Sequence, residues 1–230
     1  MSERLVLYYS RFCIHSLKSA ALLDFCRAAH EKREVAYGAA GRLPFSAYGE
    51  TPVLIHGPRV IEDPREVLRY IDEQFAPDPL AALAAEQQAA VFDALEHLDA
   101  CILPALGAVL LLGGGGEQRY MRSLEQLGCP LPLRLWKRIR FRRLLARSSD
   151  IAAAHYRSDL DRALAAAREL IGRIGPFDGP YRVCHICLWS VLDAVRSCQD
   201  WRAAGQDQAE LEKWCEAAAA RIRAGAGNRR

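Results

Sequence analysis

At 230 residues, with 51% hydrophobic and 26% charged side chains, the chain has an ordinary globular composition, compatible with one domain or two small ones. A formal net charge of +3 is too small to argue for nucleic acid as a partner. The most apolar run, Ala100 to Gly116, is interrupted by Pro104 and glycines and is too short for a membrane span.

The elements follow in chain order. Residues 4–9 (RLVLYY) read as a strand. From Phe12 a helix is predicted, with Ile14, Leu17, Ala21 and Phe25 at helical spacing. Arg33–Tyr37 is the next candidate strand, followed by the loop-like AAGRLPFSAYGE. Thr51–Ile55 reads as a strand, His56-Gly57-Pro58 as a turn, and Arg59–Ile61 as the returning partner of a hairpin. Asp63-Pro64 starts a helix, because Asp caps well and Pro fits the first helical position. Ala76-Pro77-Asp78-Pro79 reads as a linker. Beyond it the pattern is helical throughout. A long helix over 80–112 is predicted, bent at Pro104. Ser158–Asp161 has the form of a capping box that opens another helix, and Asp207–Glu210 that of an acid-capped start. The opening MSERLVLYYS lacks a basic region followed by a long apolar core, so no signal peptide is expected. Eight cysteines without framework spacing read as reduced thiols, which suits a cytoplasmic protein.

Three features carry chemistry. Cys13 stands where the first strand hands over to the first helix. The free N–H groups of a helix start favour an anion, and the thiolate is the reactive form of cysteine. Arg11 and Lys18 add positive potential, while Tyr8, Tyr9 and Ser10 are rival candidates beside it. Ser16 holds the second position of the C-x-x-C pattern and cannot resolve a mixed disulfide, which favours monothiol chemistry. Cys184-His185-Ile186-Cys187 carries zinc-type ligands, but no second pair stands at convincing spacing, so core packing is the expected role and no metal is predicted. In Arg134–Arg147, seven of fourteen residues are Lys or Arg. That is a helix whose arginines pair with acidic residues elsewhere, a membrane-surface or anion-binding helix, or a border of a substrate pocket.

The order β-α-β-β-β-α, a proline-bearing linker and then helices resembles the glutathione transferase superfamily. LYYSRFCIHSLKS is similar to the glutaredoxin-like opening of its cysteine-type members, and RFC to the way the omega class introduces its cysteine. TPVL matches the segment whose proline is cis in these folds. RVIEDPREVLRYIDE matches the family's strand-turn-helix, and GPYRVCHICLWSVLDAV falls where the family starts a helix with S-x-A-D. The chain departs from the pattern at Ile14, where the family has proline, and at His15, where it has an aromatic. It departs again at Asp63, where the family has Ser or Thr, and at Arg182 and His185, where it has a capping Ser and Asp.

The resemblance implies an α+β architecture: a thioredoxin-like glutathione-binding domain over 1–76 and an all-α-helical substrate-binding domain over 80–230. It implies Cys13 as catalytic nucleophile, and glutathione as co-substrate held by Arg11, Phe12, Thr51, Pro52, Glu62 and Asp63. Glu62 would meet the ligand's ammonium, and Thr51 the cysteinyl backbone. The α-carboxylate would meet backbone N–H groups at the start of the 64–75 helix, with help from Arg65. The implied chemistry is thiol transfer, deglutathionylation or thioether lysis on a small second substrate, in a homodimer. The alternative is a non-catalytic binding module that kept the fold.

Overall fold

The computed structural model describes residues 3–36, 43, 46, 47, 49–113, 115–175, 177, 180–198, 201 and 208–225. Side chains are described for all of these except 112, 144–158, 224 and 225. The first part is a four-stranded mixed sheet in the order β2-β1-β3-β4, built from β1 (Leu5–Tyr9), β2 (Glu31–Glu34), β3 (Val53–His56) and β4 (Arg59–Ile61). β1 runs parallel to β2, and β3 is antiparallel to both β1 and β4. The β1–β2 crossover is α1 (Ile14–Cys26), as a parallel pair requires. α2 (Pro64–Phe75) follows β4 and buries Val67, Leu68 and Ile71. Leu7, Val53, Leu54 and Leu23 are completely enclosed, so the sheet is sealed by apolar side chains of both faces.

The second part is helical: α3 (Ala85–His97), α4 (Leu103–Leu112), α5 (Gly116–Gln126), α6 (Leu131–Ile174), α7 (Arg182–Arg196) and α8 (Gln208–Gly225). α7 is buried along most of its length, Val183 to Leu188 without interruption, and it packs along α1. By length and composition alone, Ala85–Leu111 is long and apolar enough to cross a bilayer. Its Val91, Ala94, Leu98, Ile102, Leu106 and Val109 nevertheless lie in the core with α7.

Several expectations are corrected. The helix predicted over 80–112 is a 3₁₀ turn at Leu80–Ala82, then α3, a π-helical segment at Leu98–Ile102 and α4. Pro104 cannot donate to the ladder, and the wide π turn accommodates the break just before it. The second strand lies at Glu31–Glu34 rather than 33–37, with Tyr37 outside the described residues. Ser158–Asp161 does not open a helix but falls inside the 44-residue α6. The preceding residues contain no Gly or Pro to stop propagation. Asp207 lies outside the described residues. At the start of α7, Arg182 and His185 stand where the family has a capping Ser and Asp, and both are engaged by other contacts. Arg182 donates to the Asp78 carbonyl at 2.8 Å and lies over the Phe25 ring at 5.5 Å. His185 is buried with Nδ1 2.9 Å from the Tyr181 carbonyl and Nε2 3.0 Å from the Gly175 carbonyl. A carboxylate at 185 would face two carbonyl oxygens.

Candidate functional site

The strand register gathers the predicted residues at one end of the strands. Tyr8 at the end of β1 stands opposite Val53 at the start of β3, and Leu54 opposite Ile61 at the end of β4. The chain leaving β1 (Ser10–Cys13), the chain entering β3 (Thr51-Pro52) and the chain leaving β4 (Glu62-Asp63) therefore emerge side by side. Cys13 is the N-cap of α1. Its N–H donates to the Ser10 carbonyl at 3.0 Å, folding the segment into a tight turn. Its thiol is half-buried and donates to the Thr51 carbonyl at 3.2 Å. The Thr51–Pro52 peptide is cis, as the TPVL match implied.

The other residues divide. The guanidinium of Arg11 is held by Glu34 at 2.5 Å and by Gln126 of α5 at 2.9 Å. Phe12 is buried edge-on against Tyr120 of α5, which stacks on Phe141 of α6. Both side chains anchor the helical part to the Cys13 loop, and the Phe12 N–H donates to Ser10 Oγ at 3.5 Å. Glu62 accepts from the Ala47 N–H at 2.7 Å. Asp63 is the N-cap of α2, its Oδ1 accepting from the N–H groups of Arg65 at 2.8 Å and Glu66 at 3.0 Å. Those are N–H groups that a ligand carboxylate was expected to use, and Asp63 already occupies them.

The rivals of Cys13 are tied elsewhere. The Tyr8 hydroxyl accepts from Arg33 at 2.8 Å. Burial, with Glu34 nearby, pushes the Tyr9 phenol above its usual value, which opposes a phenolate there. Ser10 is buried. Lys18, expected to add positive potential, is also buried and forms an ion pair with Asp99 of the π segment at 2.6 Å, so its charge is met inside the molecule. His15 lies by the same cluster. Its Nδ1 is buried without a partner among the described residues, and burial followed by the Lys18 charge pushes the imidazole below its ordinary value. Ile14, at the family's proline position, contacts α4. A Cβ on Gly107 would sit 3.4 Å from Ile14 Cγ2, an ordinary van der Waals distance, so α4 closes one wall beside Cys13 at this point.

Asp99, Gln126, Tyr120 and Gly107 escaped sequence reasoning. Each contacts the Cys13 region only through tertiary packing, and none belongs to a local motif. Of the alternative sites, Cys184 and Cys187 are enclosed in the core. The Cys184 thiol lies 3.6 Å from the Val91 carbonyl, and burial raises both thiols, Cys187 to about 12. Among the described residues no group of three or more His, Cys, Asp or Glu is placed to hold a metal ion.

A four-stranded mixed sheet with a cis-proline at the head of β3, followed by a bundle of helices, is the fold of the glutathione transferases. The solved structures it resembles carry that fold over nearly their full length. The theta-class glutathione S-transferase of Xanthomonas axonopodis pv. citri, with glutathione bound, aligns with a TM-score of 0.61 at 18% identity, covering 98% of this chain and 95% of that one. Glutathione transferase Omega 2S of Trametes versicolor aligns at 0.57 and 12% identity, covering 99% and 94%. A possible glutathione S-transferase of Rhodopseudomonas palustris aligns at 0.59 and 16%, covering 93% and 92%. No protein-family model and no curated protein matches the sequence. At these identities the likeness establishes the fold.

Proposed function

We propose that the protein is a glutathione-dependent thiol transferase with Cys13 as its nucleophile, acting on a glutathionylated small molecule. The observation that carries this reading is the half-buried Cys13 thiol at the start of α1, facing the Thr51 carbonyl. The Cys13 thiolate attacks the glutathione sulfur of a mixed disulfide, a Cys13–glutathione disulfide forms, and the substrate thiolate leaves and takes a proton. A second glutathione, as thiolate, attacks the glutathione sulfur of that disulfide. Oxidised glutathione leaves and the Cys13 thiolate is restored. Ser16, with no thiol, does not intercept the intermediate. Backbone groups of Thr51 pair with the cysteinyl part of glutathione, and Glu62 attracts its ammonium. A homodimer in the cytoplasm fits this reading.

The test is a disulfide-exchange assay with Cys13→Ser, together with peptide mass spectrometry of the wild type mixed with oxidised glutathione. Loss of turnover in the variant, with the melting temperature unchanged and glutathione found on Cys13, supports the mechanism. Full activity in Cys13→Ser, with loss in Ser10→Ala or Tyr9→Phe, rules it out.

A second reading, a non-catalytic binding module, draws on Asp63 occupying the α2 N–H groups and on Asp99 neutralising Lys18. Iodoacetamide alkylation across pH separates the two. The exposed Cys101 serves as an internal reference, and a Cys13 that reacts no faster than Cys101 near neutral pH favours the module.

A further inference from the structure

The start of α6 is amphipathic the wrong way round for a helix that faces only water. From Leu131 to Arg143 it carries Arg134, Lys137, Arg138, Arg140, Arg142 and Arg143, and no acidic residue occurs between Gln126 and Ser149. Its inner side is satisfied. Phe141 and Lys137 are buried, Arg134 pairs with Glu125 of α5 at 2.9 Å, and Arg138 and Arg142 grip Glu117 at 2.5 and 2.9 Å. Its outer side holds Leu131, Leu135 and Ile139, one helical turn apart, with Trp136 beside them. These four are 59%, 49%, 52% and 51% exposed. Only Val60 and Phe92 are comparably exposed large apolar side chains among the described residues, so four of six fall within nine positions of one helix. Single exposed apolar residues need no explanation, but a contiguous patch does. Flanking it, Arg140 lies over the Trp136 ring at 5.0 Å and Arg143 is exposed. Neither has a carboxylate partner among the described residues.

We propose that this outer face of α6 docks on an anionic lipid bilayer. Leu131, Leu135, Trp136 and Ile139 enter the boundary between headgroups and acyl chains, and Arg140 and Arg143 meet lipid phosphates. An apolar stripe carrying Trp, edged by arginines whose stems reach back to the headgroups, is the composition of an interfacial helix. A second copy of the chain fits less well. An isologous contact would bring together two faces that both carry Arg140 and Arg143, cation facing cation across one interface. A single exposed helix face is convex and offers no groove for a protein partner's anchoring side chains, whereas a bilayer needs none. The glutamates of α5 hold the remaining arginines, which keeps the apolar stripe turned outward. The proposal is independent of the chemistry at Cys13.

The full chain is floated with vesicles of phosphatidylcholine alone and of phosphatidylcholine with phosphatidylglycerol. It is expected to float with the anionic vesicles at low ionic strength, less at high salt, and little with the neutral ones. Leu135→Glu/Ile139→Glu and Arg140→Glu/Arg143→Glu should each weaken binding at least about tenfold, with circular dichroism melts like the wild type. Bromolipids should quench Trp136, identified by subtraction against Trp136→Phe, and that reading does not rely on the double variants folding. Three results would overturn the proposal: wild-type protein left behind by anionic vesicles at low salt, binding unchanged in Leu135→Glu/Ile139→Glu, or a wild-type oligomer that this variant dissociates, which would make the face a contact between copies.

Discussion

Asp63 holds two demands in opposition. Its carboxylate caps α2 through the N–H groups of Arg65 and Glu66, and it stands beside Glu62, where the proposed ligand would present its own carboxylate. A serine in its place caps about as well but carries no charge and adds a hydroxyl donor. Asp63→Ser is therefore expected to leave the melting temperature nearly unchanged. It should tighten glutathione binding several-fold, the scale of about 0.5–1 kcal/mol for an exposed charge contact. Isothermal titration of both proteins measures this. Weaker binding in the variant would mean that the Asp63 carboxylate itself helps hold the ligand. The cap was legible in the Asp-Pro pair because capping is decided within four residues. The engagement of Arg11 by Glu34 and Gln126 was not, since Gln126 is 115 positions away along the chain.

At the scale of elements, the junction between the sheet part and the helices rests on a buried acid. Asp72, in the last turn of α2, is enclosed, and its Oδ2 accepts from the Leu80 N–H at 2.6 Å while Oδ1 has no partner among the described residues. Burial raises its carboxyl above the ordinary value of 3.8, with the Leu80 hydrogen bond pulling the other way. An acid whose folded value is raised contributes stability that is fully present below 3.8 and is lost as pH rises through the folded value. Asp72→Asn keeps an acceptor for Leu80 and removes the charge. Its melting temperature should match the wild type in acid, below about pH 4, and exceed it near neutrality. A difference that stays constant with pH would show that the hydrogen bond, not the buried charge, governs this site. Periodicity found most helices here, yet it placed a helix start at Ser158. A capping signature is a local preference, and an unbroken helical run on both sides overrides it. The π turn before Pro104 was likewise invisible as such, because a proline announces a break without saying how the backbone absorbs it.

At the scale of the molecule, the pairing of Lys18 with Asp99 binds the sheet part to the helical part. Lys18 rises from α1, one turn beyond Cys13, and its side chain is 1% exposed, against 16% for Asp99 in the π segment. The Arg65 guanidinium stands 4.0 Å from the other Asp99 oxygen, so one carboxylate collects cations from α1 and α2. Lys18 was readable in the sequence as a basic residue near the nucleophile, but its partner 81 positions away was not. A buried pair contributes little over an apolar replacement of similar shape, because desolvation offsets most of the attraction, whereas removing one partner strands the other charge. Asp99→Ala should then destabilise by about 3–5 kcal/mol, and Lys18→Met/Asp99→Leu by clearly less. Denaturant unfolding of Lys18→Met, Asp99→Leu and Lys18→Met/Asp99→Leu gives the coupling directly. Loosening this contact also frees the α1 start from the α4 wall at Ile14 and Gly107. Exchange activity in Asp99→Ala should therefore fall even at temperatures where the variant remains folded. Additive single-variant losses, with the double variant the least stable of the three, would show that Lys18 and Asp99 are held by separate surroundings and that the two parts of the chain are joined by their apolar contacts alone.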